Sequence, residues 1–194
     1  MNLPARVTNI LTKPSSEWPM IAAEPADVAS ILVGYVLILA AIPAVCLFIG
    51  VEVIAVPYIG HLPVAGALSG AVMTYVRSVV VVIIAALIVK QLAPTFGSRG
   101  DTAQALKLVA YSYTPLWIAG VLYLVVVLTP LAIIAALFAI YLFYVGLPVV
   151  MKTPADKVIP YMLVSAVVVI VVHLLLQLIL GAMWGMPLGF GRMF

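Results

Sequence analysis

Five long apolar segments are the feature that most constrains the fold of this chain. They cover residues 28–51, 65–89, 103–128, 131–151 and 158–182. Each has 20 residues or more, which at about 1.5 Å of helical rise per residue crosses a hydrocarbon core of about 30 Å. Their continuous Val, Ile, Leu and Ala content shows no period of two, so the segments predict helices rather than barrel strands.

The composition excludes a soluble globular domain. Of the 194 residues, 66% are hydrophobic and only 8% are charged, whereas soluble domains are about 45–50% apolar and about 25% charged. Intrinsic disorder is excluded for the same reason. The basic residues are scattered along the chain, so nucleic-acid binding is not predicted. The sequence therefore predicts an all-α polytopic membrane protein, a bundle of five transmembrane helices.

The positions of the basic residues predict an N-in, C-out orientation. Seven of them fall on the cytoplasmic side if the N-terminus is cytoplasmic: Arg6, Lys13, Lys90, Arg99, Lys107, Lys152 and Lys157. Only Arg192 then lies outside, and Arg77 lies within a span. An excess of Lys and Arg marks the cytoplasmic side of membrane proteins.

Residues 1–27 are predicted to form a cytoplasmic or interfacial segment before the first span, and residues 183–194 a short external tail. Apolar side chains recur in the first segment at helical spacing: Leu3, Val7, Ile10 and Leu11. Arg6 and Lys13 lie outside this stripe, which indicates a short helix on the membrane surface. Trp18, followed by Pro19 and Met20, is typical of an interfacial anchor.

Arg77 lies near the middle of the second apolar segment. A charge at that depth costs about 2.5–3.5 kcal/mol on insertion scales, so the guanidinium is expected to face the bundle or to extend toward the outer surface. Its expected partners are Glu52, tyrosine hydroxyls and carbonyls freed by proline. Two interpretations stay open, a site for an anion or lipid headgroup and a buried arginine that joins two helices.

The third segment contains the run Tyr111-Ser112-Tyr113-Thr114-Pro115. Pro115 has no N–H to donate, and its ring crowds the carbonyl of Tyr111, which predicts a kink. The hydroxyls of Ser112 and Thr114 are expected to satisfy the freed backbone in part. The kink is either a fixed packing feature or the mark of a gate or cavity.

The fifth segment carries four polar side chains on one helical face: Tyr161, Ser165, His173 and Gln177. His173 and Gln177 are direct neighbours at i, i+4. Such a stripe either lines a path for protons or solutes or forms interhelical hydrogen bonds. Gly66-x-x-x-Gly70 additionally permits close helix contact within the chain or between chains.

No catalytic constellation is visible in the sequence. It has no Gly-rich phosphate loop with Lys, no HExxH, and no Cys or His spacing typical of a metal site. Cys46 is the single cysteine, and His61 and His173 are isolated from each other. No catalytic residue, metal or cofactor is therefore predicted, and the protein is expected not to be an enzyme.

Three runs of sequence resemble a known family: Gln104–Leu122, Ile140–Pro154 and Lys13–Pro25. They are similar to the bacterial branch of the Yip-domain family, the Ypt/Rab-interacting membrane proteins. The resemblance implies a five-helix integral membrane fold with a cytosolic N-terminus. The eukaryotic relatives act in vesicle trafficking and associate with prenylated small GTPases and with each other. They carry a longer soluble N-terminal region than the 27 residues found here, which argues against small-GTPase binding.

The predicted function is that of a membrane scaffold or interaction protein in a bacterial cytoplasmic membrane. It would organise lipids or partner proteins, including further copies of itself. The alternative is a channel or carrier for a small anion or lipid that uses Arg77. The candidate functional residues are Arg77, Tyr111, Thr114, Pro115, His173 and Gln177.

Overall fold

The computed structural model describes residues 2–25, 27–54 and 63–183, and every regular element in these ranges is helical. Five helices are long and apolar enough to cross a membrane, and they are numbered spans 1 to 5: Val28–Ile54, Val64–Phe96, Thr102–Leu124, Val127–Val150 and Ala155–Ile179. The predicted all-α fold with five membrane-crossing helices is therefore confirmed. Residues 184–194 of the predicted tail lie outside the described residues.

The spans depart from regular α-helix at several points, some of them beside a proline or glycine. Span 3 is interrupted at Tyr113, between helices Thr102–Ser112 and Thr114–Ala119. Pro115 lies in the first turn of the second helix, where a missing N–H is tolerated. The remaining α-helices of the spans are Val28–Ile31, Leu37–Ile49, Val64–Leu92, Ala132–Val150 and Val158–Met183. Two π-helices lie in span 1, Leu32–Val36 and Gly50–Ile54. The 3-10 helices are Ala93–Phe96, Gly120–Leu124, Val126–Leu131 and Ala155–Lys157.

Two short helices precede span 1, α1 (Leu3–Thr12) and α2 (Pro14–Ala23). A helix is found at the predicted position, and its apolar stripe packs against the protein core, with Ile10 completely buried. Arg6 is only 7% exposed and Trp18 is completely buried, because α1 packs against span 3 and α2 against span 4. Trp18 is thus a core residue of the protein rather than a side chain that faces the interface.

Span 3 is the central helix of the bundle and span 5 the most peripheral. In the most apolar window of each, 67% of the residues of span 3 are buried, against 6% in span 5. Span 3 also has the lowest mean hydropathy of the five. Lipid cannot hydrogen-bond polar side chains, so the least apolar helix occupies the position where protein surrounds it. At Gly120, an added Cβ would lie 2.6 Å from the Cβ of Pro43, so spans 1 and 3 cross in contact.

The end of the bundle that carries α1 and α2 is called the N-terminal face, and the opposite end the far face. At the N-terminal face the loop after span 2 is bonded to the loop after span 4. The hydroxyls of Ser98 and Thr153 are 2.8 Å apart, and the Arg99 N–H donates to the Met151 carbonyl at 2.9 Å. These bonds link the end of span 2 to the end of span 4 at this face.

Candidate functional site: two polar clusters

The first polar cluster lies where α1 and α2 meet span 3. It is formed by Arg6, Glu17, Glu24 and Lys107 and is called the buried charge cluster. Arg6 Nη1 lies 2.5 Å from Glu17 Oε1, with both side chains less than a tenth exposed. The second guanidinium nitrogen of Arg6 bonds Glu24. One arginine thus holds two carboxylates of the following helix through charge-assisted hydrogen bonds.

Lys107 extends the buried charge cluster from span 3 to the end of α2. Its ammonium donates to the carbonyl of Ile21 at 2.8 Å and to the carbonyl of Glu24 at 2.6 Å. A cation at the C-terminus of a helix satisfies carbonyls that lack helical partners and favours the helix dipole. With two cations and two carboxylates the cluster has no formal net charge, which reduces the electrostatic cost of burying it.

Tyr111, Thr114 and Pro115 lie directly beside the buried charge cluster. The Arg6 guanidinium is 5.7 Å from the centre of the Tyr111 ring, within the range of a cation–π contact. The Thr114 hydroxyl donates to the Tyr111 carbonyl at 2.7 Å and lies 2.6 Å from the Tyr35 hydroxyl. Thr114 therefore satisfies the backbone beside Pro115, as predicted.

The same prediction for Ser112 was wrong. Its hydroxyl oxygen is buried and has no hydrogen-bond partner among the described residues. Of these two hydroxyls, only that of Thr114 bonds the Tyr111 carbonyl that Pro115 crowds. Ser112 lines a cavity instead.

Trp18 fixes α2 onto span 4 beside the charge cluster. Its ring occupies the space that a side chain at position 146 would need, since a Cβ added to Gly146 would lie 2.6 Å from it. The edge of the Trp18 ring also meets Tyr111, with ring centres 6.4 Å apart. Apolar contacts of Trp18 thus add to the polar bonds of Lys107 in holding α2 on the bundle.

The second polar cluster consists of Arg77, His173 and Gln177 and is called the Arg77 cluster. Arg77 Nη1 donates to Gln177 Oε1, so the arginine joins spans 2 and 5. The sequence analysis expected Glu52 among the partners of Arg77. Among the described residues the partner is instead Gln177, which the sequence pattern placed on the polar stripe of span 5. Arg77 is partly exposed, and His173 and Gln177 are exposed.

A cavity of about 130 Å³ adjoins the Arg77 cluster, lined by Arg77, His173, Ser78 and Trp117 among others. The Trp117 indole N–H donates to the Ser78 hydroxyl at 2.7 Å. This arrangement presents a guanidinium and an imidazole to one small space. Such a space is chemically suited to an anion or to a polar side chain of another protein.

The candidate residues thus fall into two groups that the structure keeps apart. Tyr111, Thr114 and Pro115 belong to the core beside the charge cluster, whereas Arg77, His173 and Gln177 line the accessible side of spans 2 and 5. Sequence reasoning missed the buried charge cluster. One signal was available, because Glu17 and Glu24 are seven residues apart, a spacing that puts both on one side of a helix.

Within the described ranges, no group of three His, Cys, Asp or Glu side chains is arranged to hold a metal ion. The buried charge cluster is satisfied within the chain. The Arg77 cluster pairs a full positive charge with a neutral amide.

The five long apolar spans define a polytopic membrane protein. Over residues 8–178 the sequence matches the Yip1 domain, and the chain belongs to the Yip1 domain family. Comparison with curated proteins and with solved structures returns no match. The family thus supports the fold and the membrane location, and the specific function has to be argued from the residues.

Proposed function

We propose that this Yip1 domain protein is a non-enzymatic scaffold that associates with other membrane proteins, including copies of itself, through the exposed side of span 5. The supporting observation is the exposure of His173 and Gln177 on a span that is otherwise apolar and almost unburied. Hydrocarbon cannot hydrogen-bond an imidazole or a primary amide. A partner helix that supplies polar groups at this position removes that cost.

Two further features support association between chains. Side chains added at Gly66 or Gly70 would meet nothing within 4 Å in the described structure, so this small-residue pair is open to an outside helix. No sequence motif of a known catalytic type accompanies the two clusters. Both features favour an interaction protein over an enzyme.

The test is native mass spectrometry of the protein released gently from its own membrane, combined with crosslinking before release. The expected result is a defined oligomer or a co-purifying membrane protein, which the double variant His173→Leu/Gln177→Leu loses. Tyr141→Leu is the matched control, because Tyr141 is also an exposed polar side chain but lies on span 4. Monomer alone in the wild type, under crosslinking conditions, would overturn the proposal.

Membrane location and orientation are part of the same proposal. A bacterial cytoplasmic membrane with the N-terminal face in the cytoplasm accounts for the basic residues at that face. Asp156 is well exposed there, so Asp156→Cys in a Cys46→Ser background reports its side. Labelling of that cysteine by an impermeant maleimide in inverted vesicles, and not in intact cells, is expected. The reverse pattern would refute the orientation.

A second candidate function is a channel or carrier for a small anion or a lipid headgroup. The cavity shared by Arg77 and His173 favours it. Flux of anion or lipid in proteoliposomes should then disappear in Arg77→Gln and persist in Arg77→Lys, which keeps the charge. Equal flux in the wild type and in Arg77→Gln, or no flux in either, would exclude this function.

A further inference from the structure

A second and larger cavity lies away from the Arg77 cluster, between spans 2, 3, 4 and 5. Its volume is about 260 Å³, and most of its lining is apolar, including Val89, Val109, Phe143 and Val169. An apolar cavity of about 150 Å³ already holds benzene, whereas pockets for drug-sized ligands begin at about 300 Å³. The size therefore suits one hydrocarbon chain rather than a complete lipid.

Two buried hydroxyl groups in the lining have no partner. Ser112 is 3% exposed and Ser165 is 2% exposed, and neither Oγ makes a hydrogen bond to any described residue. A buried hydroxyl without a partner is unfavourable and calls for an explanation. Both residues line this one cavity.

Other hydroxyls within the spans of this protein show the usual alternative. Ser69 donates to the Gly66 carbonyl at 2.8 Å, and Thr74 donates to the Gly70 carbonyl at 2.9 Å. Serine and threonine in membrane helices commonly bond back to their own helix in this way. Ser112 and Ser165 do not, so their hydroxyls remain available to an acceptor inside the cavity.

The cavity is accessible from the bilayer between spans 4 and 5. Ile140 of span 4 and Ile170 of span 5 line it and are also well exposed. Ser165 is seven residues beyond Val158, or roughly 10 Å along the helix. Because this 26-residue helix is longer than the hydrocarbon core, Ser165 is expected about one helical turn inside the hydrocarbon boundary, near the level of lipid ester groups.

We propose that this cavity binds one acyl chain of a membrane phospholipid, with the ester carbonyl of that chain accepting a hydrogen bond from Ser112 or Ser165. The chain fills the apolar volume, and the carbonyl supplies the acceptor that the protein lacks. The lipid enters sideways between spans 4 and 5. This binding is independent of any partner protein on the outer side of span 5.

The test uses purified full-length protein in nanodiscs that contain phosphatidylcholine with a diazirine midway along one acyl chain. After photolysis, labelled peptides are mapped by mass spectrometry. Labelling is expected on the cavity side of spans 3 and 5, between Val109 and Leu116 and between Met162 and Ile170. It should fall about threefold in the double variant Ser112→Ala/Ser165→Ala, which loses the hydrogen bond but not the space.

A filling variant and a matched control separate occupancy from fold. Ala139→Leu places a side chain in the cavity and should abolish the labelling of these peptides, whereas Ala135→Leu adds the same volume to span 4 outside the cavity lining and should leave it unchanged. Labelling that is equal in the wild type and in Ala139→Leu would overturn the proposal. Labelling by a diazirine fatty acid, but not by the phospholipid, would overturn the assignment to a phospholipid.

Discussion

The two polar clusters of this protein differ in whether the chain satisfies its own charges. In the buried charge cluster, Arg6 is bonded to two carboxylates and Lys107 to helix carbonyls, and of the four side chains only Glu24 is partly exposed. In the Arg77 cluster, the guanidinium bonds a neutral amide and its neighbours are exposed. The first arrangement is complete and therefore structural. The second is incomplete, and the proposed function lies there.

The largest effect is expected where the buried charge cluster is broken. Arg6→Met leaves the Glu17 carboxylate buried without its cation, and breaking a buried pair in this way destabilises a protein by about 3–5 kcal/mol. The measurement is denaturant unfolding in a mild detergent. Lys13→Met is the control, since Lys13 is exposed on the same segment. An Arg6→Met protein as stable as the control would show that the cluster does not hold α1 and α2 in place.

A smaller effect is expected where α2 meets span 4. Gly146→Ala places a Cβ against the Trp18 ring, and such overpacking destabilises by about 1–3 kcal/mol. Gly66→Ala is the matched control, because a Cβ there meets nothing within 4 Å. Unfolding of both variants under identical conditions distinguishes a local clash from a general effect of alanine. Equal stability of the two would contradict the close packing of Trp18.

The Arg77 cluster should contribute little to stability. Gln177→Leu removes one interhelical hydrogen bond, and such bonds average about 0.6 kcal/mol in membrane proteins. The free energy of unfolding should therefore change much less than in Arg6→Met, although the proposed association with partners should be lost. Val167→Leu, also on the exposed side of span 5, controls for altered lipid contact. A loss of stability as large as that of Arg6→Met would make the Arg77 cluster structural as well.

The smallest effect concerns Asp27, which caps the start of span 1 and is fully exposed. Its carboxylate accepts the backbone N–H groups of Ser30 and Ala29, and the Ser30 bond is the main cause of its lowered pKa. A lowered pKa in the folded state adds stability above the unfolded value of 3.8, and that stability is lost as the pH falls through the folded value.

The wild type should therefore lose stability relative to Asp27→Asn on acidification from about pH 6 to about pH 3. The asparagine accepts the same N–H groups but does not titrate. Thermal unfolding at each pH provides the measurement, and Asp156→Asn at an exposed site of the N-terminal face is the control. Parallel pH profiles of the wild type and Asp27→Asn would rule out the cap as the titrating group.

Local sequence predicted the backbone chemistry of span 3 only in part. The Thr114 hydroxyl bonds the Tyr111 carbonyl as expected, because the two residues are three positions apart and the contact lies within one helical turn. The equivalent expectation for Ser112 failed because side-chain rotation, unlike sequence spacing, depends on what surrounds the helix. Contacts between different spans were harder to predict than contacts within one helix. The bond from Arg77 to Gln177, for example, joins residues that are 100 positions apart in the chain.

The all-α membrane architecture and the five spans follow from the amino-acid sequence alone. Hydrophobic length along the chain is a local property, and the bilayer imposes it on each span separately. Which polar residues come into contact depends on how the helices pack. Arg6 and Lys107 are about a hundred positions apart in the chain and share one buried cluster, because packing of α1 and α2 against spans 3 and 4 brings them together. In the sequence, Arg6 and Lys107 serve only as signals of topology. In the folded protein, Arg6 forms ion pairs with Glu17 and Glu24, and Lys107 bonds the carbonyls at the end of α2. Burial favours these contacts because a buried charge needs a partner in place of water.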